Sequence, residues 1–141
     1  MFRGLLVVDD SAAVRYGLKL VFQKTNIDVV AEATTCAEAL RCLSNDTIAL
    51  VLLDIKLPDG NGLDLLPLIK SLKPDLPVLM HSLSDTSAHV VRSYQRGASG
   101  YVVKGHDPRE LVKVVQRLCD GEKAWTAAQL QFVEQHTSLN C

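Results

Sequence analysis

Short apolar runs alternate with amphipathic stretches along most of this chain, and this alternation constrains the fold more than any other feature of the sequence. Five runs are typical of buried strands because each is short and flanked by turn or cap residues: Leu5–Val8, Val29–Ala31, Ile48–Leu53, Val78–Met80 and Tyr101–Val103. The stretches between them repeat apolar residues at helical spacing, as Val14, Leu18 and Val21 do. Pro67 lies inside the third helical pattern and predicts a late start or a kink there. Five strand–helix pairs predict a doubly wound α/β fold, with a parallel sheet covered by helices on both faces.

The length and composition are those of a single globular domain. The chain has 141 residues, of which 48% are hydrophobic, and this is enough to bury one core. The formal net charge is -1, and the scattered Lys and Arg residues offer no surface for nucleic acid or an anionic membrane. The four cysteines lack metal-ligand spacing and the density of a disulfide scaffold, and no apolar stretch is long enough to span a bilayer. We expect a cytoplasmic protein with reduced thiols that does not itself bind DNA.

Polar side chains follow the ends of four of the five predicted strands. Asp9 and Asp10 follow the first strand, Asp54 the third, Ser82 the fourth and Lys104 the fifth. The carboxyl ends of parallel strands meet at one edge of the sheet, which is where ligands bind in folds of this class. We therefore predict that these five side chains form one polar cluster.

The chemistry of such a cluster points to a metal ion and a phosphoryl group. Two carboxylates about 4 Å apart repel each other by about 4 kcal/mol at an intermediate effective dielectric, and Mg²⁺ is the cation that best offsets this. A carboxylate beside a cation can attack a phosphoryl group and form an aspartyl phosphate. Each residue alone also has a simpler interpretation: Asp9 and Asp10 as helix caps, Asp54 as a solvated strand end, Ser82 as a turn hydroxyl and Lys104 as a surface charge.

Four motifs together resemble the receiver domains of two-component response regulators over residues 4 to about 120: "VVDDS" at 7–11, "LLDIKLPDGNGLDLL" at 52–66, "VLMHS" at 78–82 and "GASGYVVKG" at 97–105. The last motif is most similar to the subgroup that ordinarily carries a C-terminal helix-turn-helix DNA-binding domain. The resemblance implies a flavodoxin-like sheet of strand order 2-1-3-4-5. It also implies a receiver domain at 1–120 followed by a linker or tail at 121–141.

The same resemblance implies a role for each residue of the cluster. Asp54 accepts a phosphoryl group from a sensor histidine kinase. Asp10, Asp54 and the backbone carbonyl of Lys56 hold Mg²⁺, while Asp9 acts largely through water, and Lys104 contacts the phosphoryl oxygens. The protein is then a signalling switch and not an enzyme.

The resemblance also implies how the switch works. Ser82 moves to hydrogen-bond the phosphoryl group and Tyr101 turns inward behind it, which changes the surface around the last two strands. A tyrosine in a strand is also an ordinary packing residue, so Tyr101 keeps that second interpretation. The expected output is transcription, through a domain missing from this chain. Homodimerisation on phosphorylation is compatible with two different faces, and the residues do not choose between them.

Three other interpretations compete with this one. A receiver-like module that is never phosphorylated and acts only through protein interactions remains the main alternative, although the complete polar cluster argues against it. A flavin-binding domain is disfavoured because two carboxylates after the first strand would repel a flavin phosphate. A phosphatase with an aspartate nucleophile needs a second acid two residues later, whereas Ile55 and Lys56 follow Asp54. Leu83, where the family usually has a small residue, and His81 are the departures from the family pattern.

The segment after Gly121 has its own helix signal. Thr126 and Gln129 are spaced to cap a short helix that carries Leu130 and Val133 on one face. We expect the chain to be a truncated piece of a longer regulator, with a stand-alone receiver carrying a short tail as the alternative.

Overall fold

Strands and helices alternate along the chain in the computed structural model, which describes residues 2–84 and 86–139, with side chains up to residue 136. The strands are β1 (Arg3–Val8), β2 (Ile27–Ala33), β3 (Ile48–Leu53), β4 (Lys56–Leu57), β5 (Gly60–Asn61), β6 (Val78–Ser82) and β7 (Gly100–Val103). The helices are α1 (Ala12–Val21), α2 (Cys36–Cys42), α3 (Gly62–Leu72), α4 (Ser87–Gln95), α5 (Pro108–Cys119) and α6 (Ala127–Leu139). Within these ranges no helix combines the length and the apolar character needed to cross a membrane.

The five long strands form one parallel sheet in the order β2-β1-β3-β6-β7, which is the predicted order 2-1-3-4-5 when only these strands are counted. The pairing runs to the carboxyl ends of the strands, where Val8 pairs with Leu53, Leu53 with Met80, and Ser82 with Val103. This register places the residues that follow each strand at the same edge of the sheet. The predicted fold class is confirmed.

Two apolar layers hold the helices on the two faces of the sheet. On one face, alternate strand residues such as Leu6 and Leu53 pack with α2, α3 and α4. On the other face, Leu5 and Leu52 pack with α1 and α5, where Phe22 is almost completely buried. Because successive strand side chains point to opposite faces, a continuous apolar run is what a sheet covered on both sides requires.

Of the late start or kink predicted at Pro67, the late start is wrong, because α3 begins at Gly62 and continues through this proline, and the kink stays a prediction. A proline inside a helix leaves the carbonyl four residues earlier without its usual N–H partner. That carbonyl belongs to Leu63, and it accepts a hydrogen bond of 2.7 Å from the Arg96 guanidinium at the end of α4. A tertiary contact therefore satisfies the group that the proline leaves open.

The cysteines of the described residues are free thiols, as predicted. Cys36, Cys42 and Cys119 are half-buried and unpaired, and Cys141 lies outside the described residues. Burial, together with the nearby Asp59 carboxylate, raises the pKa of the Cys36 thiol to about 11. This thiol is therefore protonated at neutral pH, and a protonated thiol is a poor nucleophile and metal ligand.

Candidate functional site

Three aspartates meet at the carboxyl edge of the sheet. Asp9 and Asp54 are buried, with 1% and 6% of their surface exposed, whereas Asp10 is exposed. Each of the three offers a carboxylate oxygen within 4.8 Å of those of the others. Backbone hydrogen bonds hold two of them in place, since Asp9 N–H donates to the Ala33 carbonyl at 3.0 Å and Asp54 N–H to the Val8 carbonyl at 2.9 Å. The strands thus bring together carboxylates from two separate parts of the sequence.

Helix capping does not explain the acidic pair. Ser11 is the N-cap of α1, and its hydroxyl accepts the N–H of Val14 at 3.3 Å. Asp9 instead accepts the N–H of Ser11 at 2.9 Å, which uses one of its two oxygens. Its other oxygen points toward Lys104.

The Lys104 ammonium lies between the two buried carboxylates. It is 2.8 Å from Oδ2 of Asp9 and 2.9 Å from Oδ2 of Asp54. Burial lowers the pKa of this ammonium, but hydrogen bonds to Asp9 and Asp54 outweigh that effect and leave its pKa raised. One ammonium faces three carboxylates, so the cluster keeps an excess of negative charge that favours a further cation.

Asp54 is a buried carboxylate that is costly to ionise. Burial raises its pKa above the usual range, and the Lys104 ammonium offsets that rise only in part. Oδ1 of Asp54 accepts the backbone N–H of Ile55 at 2.7 Å. A carboxylate in such a position is chemically able to act as a nucleophile.

The loop after β3 approaches Asp54 closely. Lys56 and Leu57 form the short antiparallel strand β4, which pairs with β5 in a hairpin. Gly62 begins α3 against the chain at Asp54, where an added Cβ would lie 2.0 Å from the Asp54 carbonyl oxygen. Only glycine fits at this approach.

A cavity of about 760 Å³ opens over Asp54. Its lining includes every predicted site residue except Asp9 and Tyr101, namely Asp10, Asp54, Lys56, Ser82 and Lys104. Leu83, at the mouth of this cavity, is 78% exposed. Its side chain is turned toward solvent, so its large size does not close the cavity.

Sequence analysis missed two further residues of this cavity, Ser84 and His89. The hydroxyl of Ser84 and Nδ1 of His89 lie 2.8 Å apart in a hydrogen bond. The N–H of Ser84 donates to the hydroxyl oxygen of Ser82 at 3.2 Å. Neither residue had a sequence signal, because both reach the cavity through the fold of the β6–α4 loop.

Tyr101 lies behind this loop. Its ring is buried, and its hydroxyl donates a hydrogen bond to the Ser84 carbonyl. Tyr101 is therefore a packing residue, as its second interpretation has it. Its hydrogen bond to Ser84 also connects it to the lining of the cavity. Its predicted switch role stays a prediction.

His81 lies in β6 on the face of the sheet that α1 and α5 cover. Its side chain is 6% exposed, and its Nδ1 has no hydrogen-bond partner among the described residues. Burial and the positive charge of Lys104 lower the pKa of this imidazole to about 4. It is therefore neutral at pH 7.

Comparison with known proteins supplies the family. A family profile described as "Response regulator receiver domain" matches residues 5–116. This chain belongs to the response regulator receiver family. A putative transcriptional regulator of Pseudomonas aeruginosa is 31% identical over 136 residues, covering 96% of this chain and 66% of its own length. The nitrate/nitrite response regulator NarL of Escherichia coli is 30% identical over 125 residues, covering 88% of this chain and 58% of its own length.

The receiver resembles solved structures over nearly its whole length. The crystal structure of a LuxR-family two-component response regulator from Aurantimonas superimposes with a TM-score of 0.86 at 29% identity. The match covers 98% of this chain and 99% of that one, so it includes most of the segment after Gly121. The receiver itself spans about two thirds or less of the two curated relatives named above.

These comparisons confirm the predicted family and its general function. The chain is a receiver domain of a two-component system, related to transcriptional regulators. Receiver domains are signalling switches and not classical enzymes, and they interact with histidine kinases. The family generally binds Mg²⁺ at an acidic pocket. Asp9, Asp10 and Asp54 form a pocket of this kind here.

Proposed function

We propose that this receiver is switched by phosphorylation of Asp54, with a sensor histidine kinase as the phosphoryl donor. The observation that carries the proposal is the position of the Asp54 carboxylate: buried, 2.9 Å from the Lys104 ammonium, and open to a cavity of about 760 Å³. Such a carboxylate can meet a phosphoryl group from the cavity while the ammonium offsets the developing charge. The same proposal places the protein in the cytoplasm with its donor.

The reaction that we propose is a direct transfer. A carboxylate oxygen of Asp54 forms a bond to phosphorus while the bond from phosphorus to the kinase histidine nitrogen breaks and leaves the electron pair on the imidazole. Charge on the phosphoryl oxygens is met by Lys104, which is already held in place by Asp9 and Asp54. The hydroxyl of Ser82, which also lines the cavity, can donate to the same oxygens.

The acidic cluster fits Mg²⁺. We propose that Asp10, Asp54 and the Lys56 backbone carbonyl hold the ion and that Asp9 acts largely through water. Two buried carboxylates and one exposed carboxylate against a single ammonium are the oxygen-rich, negatively charged set that this hard cation prefers. When bound, Mg²⁺ supplies Lewis-acid stabilisation of the transferring phosphoryl oxygens.

Ser82 and Tyr101 are the proposed switch residues. A phosphoryl group adds charge and acceptor oxygens, and it stabilises whichever arrangement of the β6–α4 loop brings the Ser82 hydroxyl to it. Ser84 bonds both residues, so a change at Ser82 is transmitted to the Tyr101 hydroxyl. We propose that the output is transcription through a helix-turn-helix domain outside this chain, with homodimerisation of the receiver as a further consequence.

Intact mass spectrometry tests the phosphoacceptor. After incubation with acetyl phosphate and Mg²⁺, we expect the wild-type chain to gain the mass of one phosphoryl group and Asp54→Asn to gain none. Without Mg²⁺ the adduct of the wild type should fall sharply. The matched control is Asp46→Asn, because Asp46 is an exposed aspartate that precedes β3 at its opposite end.

The alternative function, a module that is never phosphorylated, predicts a different result. If the wild type forms no adduct and does not bind beryllofluoride, an unreactive mimic of the phosphoryl group, the phosphorylation proposal is wrong. An adduct that persists in Asp54→Asn would show that another residue is the acceptor.

A further inference from the structure

Asp10 is the exposed member of the acidic cluster. The carboxylates of Asp9 and Asp54 are buried, and both contact the Lys104 ammonium. The direction of an exposed side chain depends on how firmly its own backbone is held. The backbone that carries Asp10 lies where the chain leaves β1 and turns into α1. The contacts of this turn therefore decide where the Asp10 carboxylate lies.

Arg15 of α1 holds the peptide bond that precedes Asp10. Its Nη1 donates to the Asp9 carbonyl at 2.8 Å, and that carbonyl belongs to the peptide bond between Asp9 and Asp10. The Arg15 side chain is largely buried. A charged donor makes a stronger hydrogen bond than a neutral one, and burial strengthens it further by lowering the local dielectric. This contact therefore fixes the plane of the peptide bond.

Glu32 of β2 fixes the guanidinium in turn. Oε1 of Glu32 accepts from Nε of Arg15 at 3.0 Å, and Oε2 of Glu32 lies 2.5 Å from the Lys19 ammonium. Its hydrogen bond to Lys19 and the weaker effect of Arg15 lower the pKa of the Glu32 carboxyl, so Glu32 stays ionised at neutral pH. The Arg15 guanidinium thus joins β2 to the chain that follows β1.

Two further contacts hold the residues on either side of Asp10. The N–H of Asp9 donates to the Ala33 carbonyl at 3.0 Å. Oδ1 of Asp9 accepts the N–H of Ser11 at 2.9 Å. These contacts leave the Asp9 carbonyl to Arg15. Without that guanidinium the peptide bond could rotate, and the Asp10 side chain would turn with it.

We propose that Arg15 is a positioning residue for the metal site, which directs the Asp10 carboxylate toward Mg²⁺ by holding the peptide bond between Asp9 and Asp10. This inference rests on the Mg²⁺ site of the proposed function. Groups that orient metal ligands without touching the ion commonly account for a factor of about ten or more in metal affinity. Arg15 suits this role because one guanidinium donates in two directions, to a carboxylate and to a carbonyl.

The charge of Arg15 acts on the metal ion in the opposite direction to its positioning role. A guanidinium near the acidic cluster repels Mg²⁺, so loss of the charge alone would raise the affinity for the ion. Loss of the hydrogen bond to the Asp9 carbonyl would lower that affinity. The sign of the change in a variant therefore separates the two effects.

NMR of the backbone amides during a titration with Mg²⁺ measures the affinity directly. We expect Arg15→Gln to bind Mg²⁺ about tenfold more weakly than the wild type, because glutamine cannot bridge Glu32 and the Asp9 carbonyl. Lys19→Gln is the matched control. It also removes one positive charge bound to Glu32, but it leaves the bond from Arg15 to the Asp9 carbonyl in place. Its affinity should equal or exceed that of the wild type.

The Mg²⁺ dependence of phosphorylation gives a second readout, which damage to the fold would not reproduce. With acetyl phosphate as the donor, Arg15→Gln should need about ten times more Mg²⁺ to reach half of its maximal rate. Its rate at saturating Mg²⁺ should be close to that of the wild type. Arg15→Lys keeps the charge and loses the planar guanidinium, so its Mg²⁺ requirement should lie between the two. Thermal unfolding without Mg²⁺ shows that each variant is folded at the assay temperature.

The outcomes separate this inference from the proposed function. If Arg15→Gln binds Mg²⁺ as tightly as the wild type or more tightly, the positioning role is wrong and the proposed metal site stands. An equal loss of affinity in Lys19→Gln, or a rate of Arg15→Gln that stays low at saturating Mg²⁺, would also overturn the positioning role. If the wild type itself binds no Mg²⁺, the inference and the proposed metal site both fail.

Discussion

Among the single residues of the site, Lys104 has the largest electrostatic role, because its ammonium is, within the described part of the chain, the one positive charge that contacts the buried carboxylates. Its ammonium contacts two carboxylates that are almost fully buried, while the third carboxylate, Asp10, remains in solvent. Removing one partner of a buried charge cluster is strongly destabilising. Because the three carboxylates outnumber the one ammonium, the cluster still favours binding of a further cation. The pKa of Asp54 is raised mainly because its carboxyl group is buried, and the neighbouring Asp9 carboxylate adds to the rise.

His81 predicts a specific pH dependence of stability. Its pKa is about 4 in the folded chain, against a reference value of 6.5, because burial and the charge of Lys104 oppose protonation. Between these two values the unfolded chain binds more protons than the folded one, so the free energy of unfolding rises with pH. His81 therefore leaves stability intact above about pH 6.5 and lowers it by about 3 kcal/mol as the pH falls to 4.

Urea unfolding at pH 7 and pH 4 measures this effect. The wild type should lose about 3 kcal/mol more between the two pH values than His81→Leu, in which the titrating group is absent. His106→Leu, at an exposed histidine, should behave as the wild type does. An equal loss in the wild type and in His81→Leu would show that the imidazole is not what makes the stability depend on pH.

The join between β3 and α3 decides the geometry of the site at the scale of the elements. The N–H of Gly62 donates to the Ile55 carbonyl at 2.6 Å, which brings the start of α3 against the residues that directly follow β3, among them Asp54. The short hairpin of β4 and β5 fills the turn between them. The position of Asp54 therefore depends on how closely the helix can approach.

Gly62→Ala should cost about 2 kcal/mol of stability, because the new Cβ would lie 2.0 Å from the Asp54 carbonyl oxygen and the backbone must shift. Gly17→Ala is the matched control. Gly17 lies inside α1 with no atom within 4 Å of an added Cβ, so alanine there should stabilise the chain by about 0.5–1 kcal/mol. Thermal unfolding of both variants gives the comparison, and similar shifts in the two would contradict the close approach at Gly62.

In the whole molecule, residues 122–136, the C-terminal cap, cover part of β7, the strand at the edge of the sheet. Trp125 packs against the apolar layer that α2, α3 and α4 share, and its ring meets Tyr94. Trp125 thereby extends this apolar layer beyond α4.

Trp125→Ala should lower the free energy of unfolding by about 2 kcal/mol, because it removes a large, half-buried aromatic side chain and one aromatic pair. Phe132→Ala is the control in the same segment, since the ring of Phe132 is 39% exposed and should contribute much less. Urea unfolding of both variants measures the difference. Equal losses would indicate that the cap is held by general apolar contact and not by Trp125.

The C-terminal segment shows how far sequence reasoning reaches. Thr126 and Gln129 predicted a helix there, and α6 does begin just after Thr126, although it runs to Leu139 and is longer than expected. Local capping signals are readable because both partners lie within four residues of each other. The bond from Gln129 to Tyr101 was not readable, because no local pattern relates residues 28 positions apart.

The sequence by itself determined the doubly wound fold and the set of polar residues at the carboxyl edge, because strand periodicity, helix periodicity and strand ends are all local patterns. Only the tertiary structure decided that Ser84 and His89 line the cavity, that Arg96 satisfies the carbonyl left open by Pro67, and that the cap covers β7. Each of these depends on how a loop or a helix end meets a distant element. Such tertiary contacts are determined by the packing of the whole chain and not by any short stretch of it.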